Sequence, residues 1–466
     1  MYVVLASVSA EWQQFFEKIT FWSLNLLSDR KNISQFDNIV QGHRRKLLKV
    51  LGFHVLLMEY DCFECDTAES ENTAYLNSLI FREALITLFS ILRTWDIPTD
   101  QPGYNGLSLQ LSAMSPSDQD HFFRRPYQGP TEERTKQRRI HRAMYPSAPS
   151  FSQYLRYRDR RLGRALELDV DDATTSQPAN KLFEGYILPK VPIITKLSNF
   201  SFQRDVLRRL SATAITTLMK RLPDTRELHY VFHKPFNHRA EEQRNITFVS
   251  LLENIPKSTR VLTLVESPAT IRKHYSRGPT CQAICRAACT AIRSLRILHS
   301  MFSINPEGFF REAISFPATS PLEGRMDYPD LSVLVLIFKV PDSTSAMRIN
   351  HLMRMAATVA AYMPRLQVMQ VLNISTGQDI FSFLYEVFER ETRLSIKASF
   401  DVELSRETNV LWERLALEMT RYRLTKYTGT LPSGKETFEK QMKESTALVR
   451  SHVMGSWRRS SVEGGD

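Results

Sequence analysis

The chain lacks several features that would place it in a common functional class. Its five cysteines are few for 466 residues and odd in number, which argues against a disulfide framework and indicates a reducing compartment. No run of apolar residues approaches the roughly 18 that are needed to cross a membrane. We therefore predict an intracellular protein of the cytoplasm, the nucleus or both, with no membrane partner.

The sequence also lacks a catalytic signature. The patterns H-E-x-x-H and G-x-S-x-G and the protein-kinase set are absent. The run from Gly429 to Lys435 has the spacing of a P-loop, but Glu436 occupies the place of the metal-binding Ser or Thr. A carboxylate at that place would repel phosphate. We accordingly expect no enzymatic activity, no cofactor and no catalytic or metal-binding residues.

Two cysteine groups have spacings that also occur in metal sites. Cys62 and Cys65 form a C-x-x-C pair, but no second half lies at a usable distance. Cys281, Cys285 and Cys289 recur every four residues, which places them on one face of a helix rich in alanine. We predict small core residues in both groups. A loose histidine cluster is expected on the surface or in a loop: His229, His233 and His238.

The chain does have an excess of positive charge, concentrated in one segment. The net charge is +11, and residues 124–164 hold 12 Lys or Arg against three acidic residues. This charge favours an acidic partner, and Tyr154 and Tyr157 interleave with arginine as in nucleic-acid contacts. The candidate contact residues are Arg134, Lys136, Arg138, Arg139, Arg156, Arg158, Arg160 and Arg161.

The basic segment belongs to a longer stretch, residues 114–185, that interrupts the apolar periodicity of the chain. It is rich in Ser, Pro, Arg and Asp and poor in aliphatic residues. We predict a partly disordered insertion, because this composition buries too little apolar surface to offset its ordering entropy. A solvated loop and a contact with a protein partner remain alternatives to nucleic-acid binding here.

A short pattern recurs between residues 222 and 372, with room for a helix between copies. Apolar residues stand at the second, fifth and seventh places after a proline in the clearest copies, which follow Pro329 and Pro364. The core residues recur at steps of 33, 37, 36 and 35 residues: Leu228, Val261, Leu298, Leu334 and Met369. An L-x-x-L-x-L core at such a period is typical of solenoids related to leucine-rich repeats.

The predicted fold class is therefore α/β, a leucine-rich-repeat-like solenoid of strand–helix units with a helical N-terminal segment. Residues 1–52 form the helical segment, with helices at 2–27 and 35–52. Residues 53–425 form the solenoid, and residues 426–466 a C-terminal helix and a tail that is loose from Gly455. Further helices are predicted at 75–95, 211–221, 246–254, 280–292, 307–314, 347–362 and 409–422. Strands outside the repeats are predicted at 53–58, 107–111, 380–385 and 394–400.

Several stretches, taken together, carry a resemblance to a known family. They are Ala6–Trp12 with Phe15 and Phe16, Glu59–Cys65, Gly106–Asp118, Met363–Leu366 and the surroundings of Trp412. These stretches resemble fungal F-box-type proteins that carry a long leucine-rich-repeat-like domain of unassigned function. The resemblance covers roughly residues 5–425 and implies a substrate receptor of a ubiquitin ligase, with a protein substrate of unknown identity.

One departure from that family concerns its adaptor. In such proteins the run that corresponds to Ala6–Trp12 follows the F-box, a three-helix unit that opens near L-P-x-E and binds the cullin–RING adaptor. Met1 falls within the last helix of that unit, and no L-P-x-E motif is present. We expect either a true start upstream of Met1 or a paralogue that has lost adaptor binding. No residue role is carried over.

These observations together predict a non-enzymatic protein–protein interaction module. Parallel strands would form a concave sheet, helices would cover its outer face, and side chains exposed on the strands would form the docking surface. The alternative is a nucleic-acid-associated protein that binds through residues 124–164.

Overall fold

The chain divides into two compact units. The first comprises residues 1–225 and 232–256, and the second comprises residues 226–231 and 257–466. The computed structural model describes residues 9–60, 67–95, 106–119, 165–168, 191–195, 197–202, 208–233, 238–267, 279–315, 328–340, 346–375 and 379–460. These residues form a mixed α/β structure with eleven helices, twelve strands in open sheet order and a separate two-stranded ribbon.

The first unit contains a parallel sheet whose strands follow the order β1–β2–β3–β5. Strands β4 and β6 pair as the ribbon. The elements are α1 (Ala10–Thr20), β1 (Ser23–Leu27), α2 (Arg30–Ile39), α3 (His43–Leu47), β2 (Val50–Leu56), α4 (Glu71–Arg93), β3 (Leu107–Met114), a 3-10 turn (Pro116–Gln119), β4 (Ala165–Leu166), β5 (Leu197–Phe202), β6 (Arg209–Leu210), α5 (Ala212–Arg221) and α6 (His238–Glu253).

The start of the first unit differs from its prediction. The helix predicted over 2–27 is wrong for residues 23–27, which pair with β2 as strand β1. The helix predicted over 35–52 is two shorter helices, and β2 begins at Val50. Five residues are too few for the alternation of apolar and polar side chains to distinguish a strand from a helix. The backbone pairing with β2 therefore decides the conformation of residues 23–27.

The second unit contains parallel strands β8 to β11 in chain order, with helices between them. The first five residues of β7 also belong to it. The elements are β7 (Glu227–His233), β8 (Val261–Ser267), α7 (Pro279–Ala291), β9 (Ile297–Met301), α8 (Pro306–Ser315), β10 (Val333–Val340), α9 (Ala346–Ala360), β11 (Val368–Ser375), β12 (Ile380–Val387), β13 (Thr392–Ala398), α10 (Arg406–Thr420), β14 (Leu424–Thr430) and α11 (Lys435–Ser460).

The predicted helices and strands of the repeat region are confirmed, with bounds shifted by a few residues. Helix α6 begins earlier than predicted, and α11 continues past Gly455 to Ser460, where a loose tail was expected. Ser211 caps α5 as predicted, because its hydroxyl accepts a hydrogen bond from the Ala214 amide at 3.0 Å.

The pairing register of strands β8 to β11 corrects one residue of the predicted repeat series. Leu298 and Leu334 are partners, as are Leu334 and Met369, but Leu262 rather than Val261 lies opposite Leu298. Successive side chains of a strand point to opposite faces, so a shift of one residue moves Val261 to the other side of the sheet. From Leu262 the steps are 36, 36 and 35 residues.

Strands β12 and β13 depart from the predicted series of parallel units. Strand β11 ends at Ser375 and β12 begins at Ile380, a connection too short for a crossover helix. Consequently β12 pairs antiparallel with β11, and β13 pairs antiparallel with β12. Strand β14 again pairs in parallel with β13.

One described helix, α4, is long and apolar enough to cross a membrane by length and composition alone. Half of its most apolar window is buried within the fold, as in the core helices of many soluble proteins. The sequence predicts this helix at 75–95 but does not indicate a possible span there, because Arg82 and Glu83 interrupt its apolar run. Composition by itself therefore does not indicate a membrane span.

In the second unit, Trp412 of α10 lies at the centre of the layer between the strands and the helices that connect them. The indole is fully buried, its N–H donates to the Met353 carbonyl at 3.2 Å, and its ring lies 4.9 Å from Phe383 and 5.1 Å from Tyr385. Tyr385 lies opposite Met369, so the repeat core residues share the face that carries the helices.

We expect Trp412→Ala to destabilise the second unit by about 3–5 kcal/mol, because it removes a buried ring and leaves a cavity. The measurement is urea-induced unfolding followed by circular dichroism. Leu417→Ala on the same helix is the control, because Leu417 is 57% exposed and its loss should cost no more than about 0.5 kcal/mol. Equal unfolding midpoints for the two variants would contradict this assignment.

Candidate functional site

The predicted nucleic-acid contacts are not among the described residues. This applies to Arg134, Lys136, Arg138, Arg139, Arg156, Arg158, Arg160 and Arg161, and also to Cys62 and Cys65. The described strands carry other candidate surfaces.

The two faces of the first unit's sheet differ in burial and chemistry. One face is apolar, fully buried and covered on the β2 side by helix α4: Leu51, Phe53, Val55, Leu109 and Leu111. The residues between these point to the other face and are mainly polar and half-buried: His54, Ser108, Gln110, Asn199 and Ser201. We call this second face the open strand face.

The ladder registers arrange the open strand face in rows across neighbouring strands. One row runs Asn25, Gly52, Gln110 and Ser201. A Cβ added at Gly52 would lie 2.3 Å from the Asn25 side-chain oxygen, so the absence of a side chain lets the Asn25 amide lie against the backbone. Polar donors and acceptors in rows on a partly exposed strand face suit hydrogen bonding to a protein partner.

A serine–histidine pair lies on the same face. His54 Nδ1 and Ser112 Oγ are 2.5 Å apart, a distance found in nucleophile–base pairs, and burial lowers the pKa of His54. Ser112 is only 1% exposed, however, so a substrate carbonyl has no access to its oxygen. We assign this pair to the stability of the β2–β3 ladder.

In the second unit the corresponding strand face is covered by helix α11. Phe438, near the start of the helix, packs 6.0 Å from Phe302 at the carboxyl end of β9. Arg296, at the amino end of β9, donates to the carbonyl of His452 at 3.3 Å. The two contacts show that α11 runs antiparallel to β9, because the start of the helix lies at the carboxyl end of the strand. The lengths agree: the 14 residue steps from Phe438 to His452 in a helix and the 6 residue steps from Arg296 to Phe302 in a strand each span about 20 Å.

The contacts beneath α11 form an apolar cluster. Its buried members are Val261, Ile297, Val333, Val335, Ile337, Val368, Leu372, Ile380, Phe438 and Val449. The prediction of exposed strand side chains is therefore wrong for this part of the sheet. Branched aliphatic residues at these positions would expose a large apolar surface, and α11 removes that surface from water.

Two polar side chains are enclosed in this apolar layer. His299 and Gln370 flank Val335 in register and are 2% and 4% exposed. His299 Nε2 and Gln370 Oε1 have no hydrogen-bond partner among the described residues. Burial lowers the pKa of His299 to about 4, with a smaller contribution from His229. Polar groups buried in this way reduce the stability of the layer.

Sequence reasoning missed His299 because the histidines looked scattered. The alternation of Ile297, His299 and Met301 was the available signal for one strand face. His229, expected on the surface or in a loop, is instead half-buried on β7, where burial and Arg450 lower its pKa.

The three helical cysteines lie on α7 as predicted. Cys285 and Cys289 are buried, and Cys281 is half-buried. The Cys289 thiol donates to the Phe309 carbonyl of α8 at 3.5 Å, and burial raises its pKa to about 12. In the described part of the chain, no three His, Cys, Asp or Glu side chains lie close enough to hold a metal ion.

A small pocket lies near the carboxyl ends of β10 and β11, a common ligand position in open α/β sheets. Arg348 of α9 and Glu307 of α8 form an ion pair there at 3.0 Å, above Phe338 and Phe381. The cavity volume is about 10 Å³, which holds about one water molecule. This pocket is too small for an organic substrate.

The chain is similar over residues 252–454 to a family described as a family of unknown function (DUF6546). The matched stretch runs from the end of α6 into α11, so it includes the covering helix. Neither an F-box family nor a leucine-rich-repeat family matches, and nothing found indicates a fungal origin. No curated protein matches the chain.

We expect the second unit to lose stability as the pH falls from about 6.5 to about 4. In this interval the unfolded chain binds a proton at His299 that the folded chain does not bind, so the free energy of unfolding falls by up to about 3 kcal/mol. His229, which faces Arg450, acts in the same direction. The measurement is urea unfolding between pH 7.5 and pH 4.5.

The variant His299→Leu should flatten this pH dependence, because it removes the titrating group and leaves an apolar side chain of similar size. His351→Leu, at an exposed histidine of α9, is the matched control and should retain the wild-type profile. A profile that His299→Leu leaves unchanged would show that other groups determine the acid sensitivity.

Proposed function

We propose that this chain is a non-enzymatic protein-interaction module that binds a partner protein on the open strand face of its first unit. The observation that carries the proposal is the contrast between the two faces of that sheet. One face is apolar and buried, whereas the other presents the side chains of Ser108, Gln110 and Ser201, which are half-buried rather than fully covered. A polar surface held on a rigid sheet is preorganised for a partner, which lowers the entropy cost of binding.

The proposal includes a solenoid relationship between the repeating units. Parallel strands β8 to β11 that follow one another at steps of 36, 36 and 35 residues support this view, since each step holds one strand and one helix. The antiparallel hairpin β12–β13 and the covering helix α11 would then be the departures that end the series.

The family resemblance extends the proposal to a specific role, that of a substrate receptor in a ubiquitin ligase. The supporting stretches are Ala6–Trp12, Gly106–Asp118 and the surroundings of Trp412. Capture of the cullin–RING adaptor by the natural protein would support this role, and failure to capture it would leave an interaction module without that link. Intact-mass analysis of the natural protein belongs to the same experiment.

The open strand face is tested directly by adding charge and bulk to it. We expect Ser108→Arg and Gln110→Arg each to reduce the recovery of specific partner proteins at least about tenfold, because an arginine there blocks close approach to the sheet. Partners are identified by chemical cross-linking of the full chain in its own cell type, followed by mass spectrometry of the linked peptides.

The matched controls are Ser34→Arg and Gln35→Arg on helix α2, where both side chains are exposed. These variants carry the same charge change and should keep the wild-type cross-links. Circular dichroism must show that all four variants are folded. Equal loss with the controls, or linked peptides that avoid β2 and β3, would refute the open strand face as the docking site.

Nucleic-acid binding through residues 124–164 is the rival function, supported by the +9 charge of that segment. Binding to phosphates releases counterions, so affinity for a single strand would fall by about 300-fold between 50 and 200 mM salt if about six phosphates are neutralised. Contacts of the open strand face would change little over that range. A salt titration of binding to a random-sequence single-stranded RNA therefore separates the two functions.

A further inference from the structure

Helix α1 carries an apolar face that is exposed to solvent. Trp12, Phe15 and Ile19 recur at spacings of three and four residues and are 49%, 58% and 50% exposed. Trp22, just after the helix, is 57% exposed. Soluble proteins rarely leave four large apolar side chains uncovered together, and such patches commonly mark interaction sites.

This face points away from the interior of the first unit. Glu17 lies on the opposite side of α1 and accepts hydrogen bonds from His43 at 2.6 Å and from Arg44 at 2.7 Å. Both partners belong to α3, which leads into β2, the inner neighbour of β1. Trp22, the last member of the exposed group, directly precedes Ser23 of β1, so this group reaches the start of the edge strand.

Strand β1 is the edge of the described sheet and has hydrogen-bonding groups directed outward. The Trp22 carbonyl accepts from the Lys49 and Val50 amides, and the Ser28 amide donates to the His54 carbonyl. Because alternate residues of a parallel strand bond to one neighbour, Ser23, Asn25 and Leu27 direct their N–H and C=O groups to the open edge. Such an edge can accept a further strand.

The size of the patch indicates a short segment rather than a second copy of the chain. Four large side chains of about 200 Å² each, about half exposed, present about 400 Å² of apolar surface. A stable dimer buries about 800 Å² on each partner. An extended segment of five or six residues matches both the patch and the five-residue length of β1.

The charges beside the edge indicate what should follow the apolar part of that segment. Arg30 and Lys31 begin α2 immediately after β1, and both are exposed. The adjacent Asp29 carboxylate is held at the helix cap by the Asn32 amide at 3.0 Å. Asp29 keeps its negative charge, but Arg30 and Lys31 outnumber it, so the net charge of these three residues is positive and complements an acidic residue.

We propose that the β1 edge and the exposed face of α1 bind an extended apolar segment of a partner protein as an added strand, with an acidic residue of that segment beside Arg30 and Lys31. Main-chain hydrogen bonds to Ser23, Asn25 and Leu27 provide the register. The aromatic side chains of α1 and Trp22 provide apolar anchors. This surface is separate from the residues Ser108 and Gln110 that test the open strand face, so either can fail without the other.

The test uses fluorescein-labelled decapeptides of alternating Val and Thr that carry two Asp at the amino or at the carboxyl end. Binding to the full chain is followed by fluorescence polarisation. We expect one of the two sets to bind, and which set binds gives the direction of the added strand. Binding by neither set overturns the proposal, as does equal binding of peptides with Lys in place of Asp.

Two pairs of variants distinguish strand addition from general adhesion to an apolar surface. Ile19→Gln should weaken binding about tenfold, whereas Leu417→Gln, at the similarly exposed leucine of α10, should leave it unchanged. Asn25→Pro removes an outward N–H, which an edge strand tolerates, and should abolish binding, whereas Asn25→Ala should bind like the wild type. Equal binding by all four variants overturns the proposal.

Hydrogen exchange supplies an independent readout. The amides of Ser23, Asn25 and Leu27 should exchange rapidly in the protein alone and slowly with peptide bound. Protection in the protein alone would mean that the chain covers its own edge, which overturns the proposal. Sedimentation with anionic phospholipid vesicles that needs Ile19 but is indifferent to Asn25→Pro would assign the patch to a membrane surface instead.

Discussion

The period of two along each β-strand is the constraint on which the rest of this structure depends. In the first unit it sends Leu51, Phe53 and Leu109 to one face and Ser108 and Gln110 to the other. Helices cover the first face because its side chains are apolar, and burying them provides the main stabilising free energy. The other face needs no cover, since its side chains are polar. The candidate surface is thus a direct consequence of how the sheet is stabilised.

The second unit obeys the same constraint with a different outcome. Its second strand face carries Val333, Val335 and Ile337, which are fully buried under α11. Two polar side chains are enclosed with them, and His299 Nε2 and Gln370 Oε1 have no hydrogen-bond partner in the described part of the chain. Buried polar atoms without a hydrogen-bond partner lower the free energy of unfolding, so this layer is less stable than an all-apolar one. The low pKa of His299 also makes its stability sensitive to acid.

The features that indicate function are all on surfaces and edges. The open strand face, the β1 edge and the exposed side of α1 each leave hydrogen-bonding groups or aromatic rings accessible, whereas the pocket beside Arg348 holds about one water molecule. The similarity of residues 252–454 to a family of unknown function does not point to a particular partner.

The sequence by itself determined the α/β class, most helices of the repeat region and the repeat spacing. In long segments the period of the apolar residues distinguishes a helix from a strand without knowledge of tertiary contacts. It could not determine the register at Leu262, since one residue of shift leaves the local pattern intact while it reverses the faces. It could not show β1, whose five residues depend on pairing with β2. Nor could it show that Phe438 and Val449 of α11 cover the second strand face, because the cluster joins residues from about 60 to almost 190 positions apart along the chain. The tertiary structure alone decided which strand face is open.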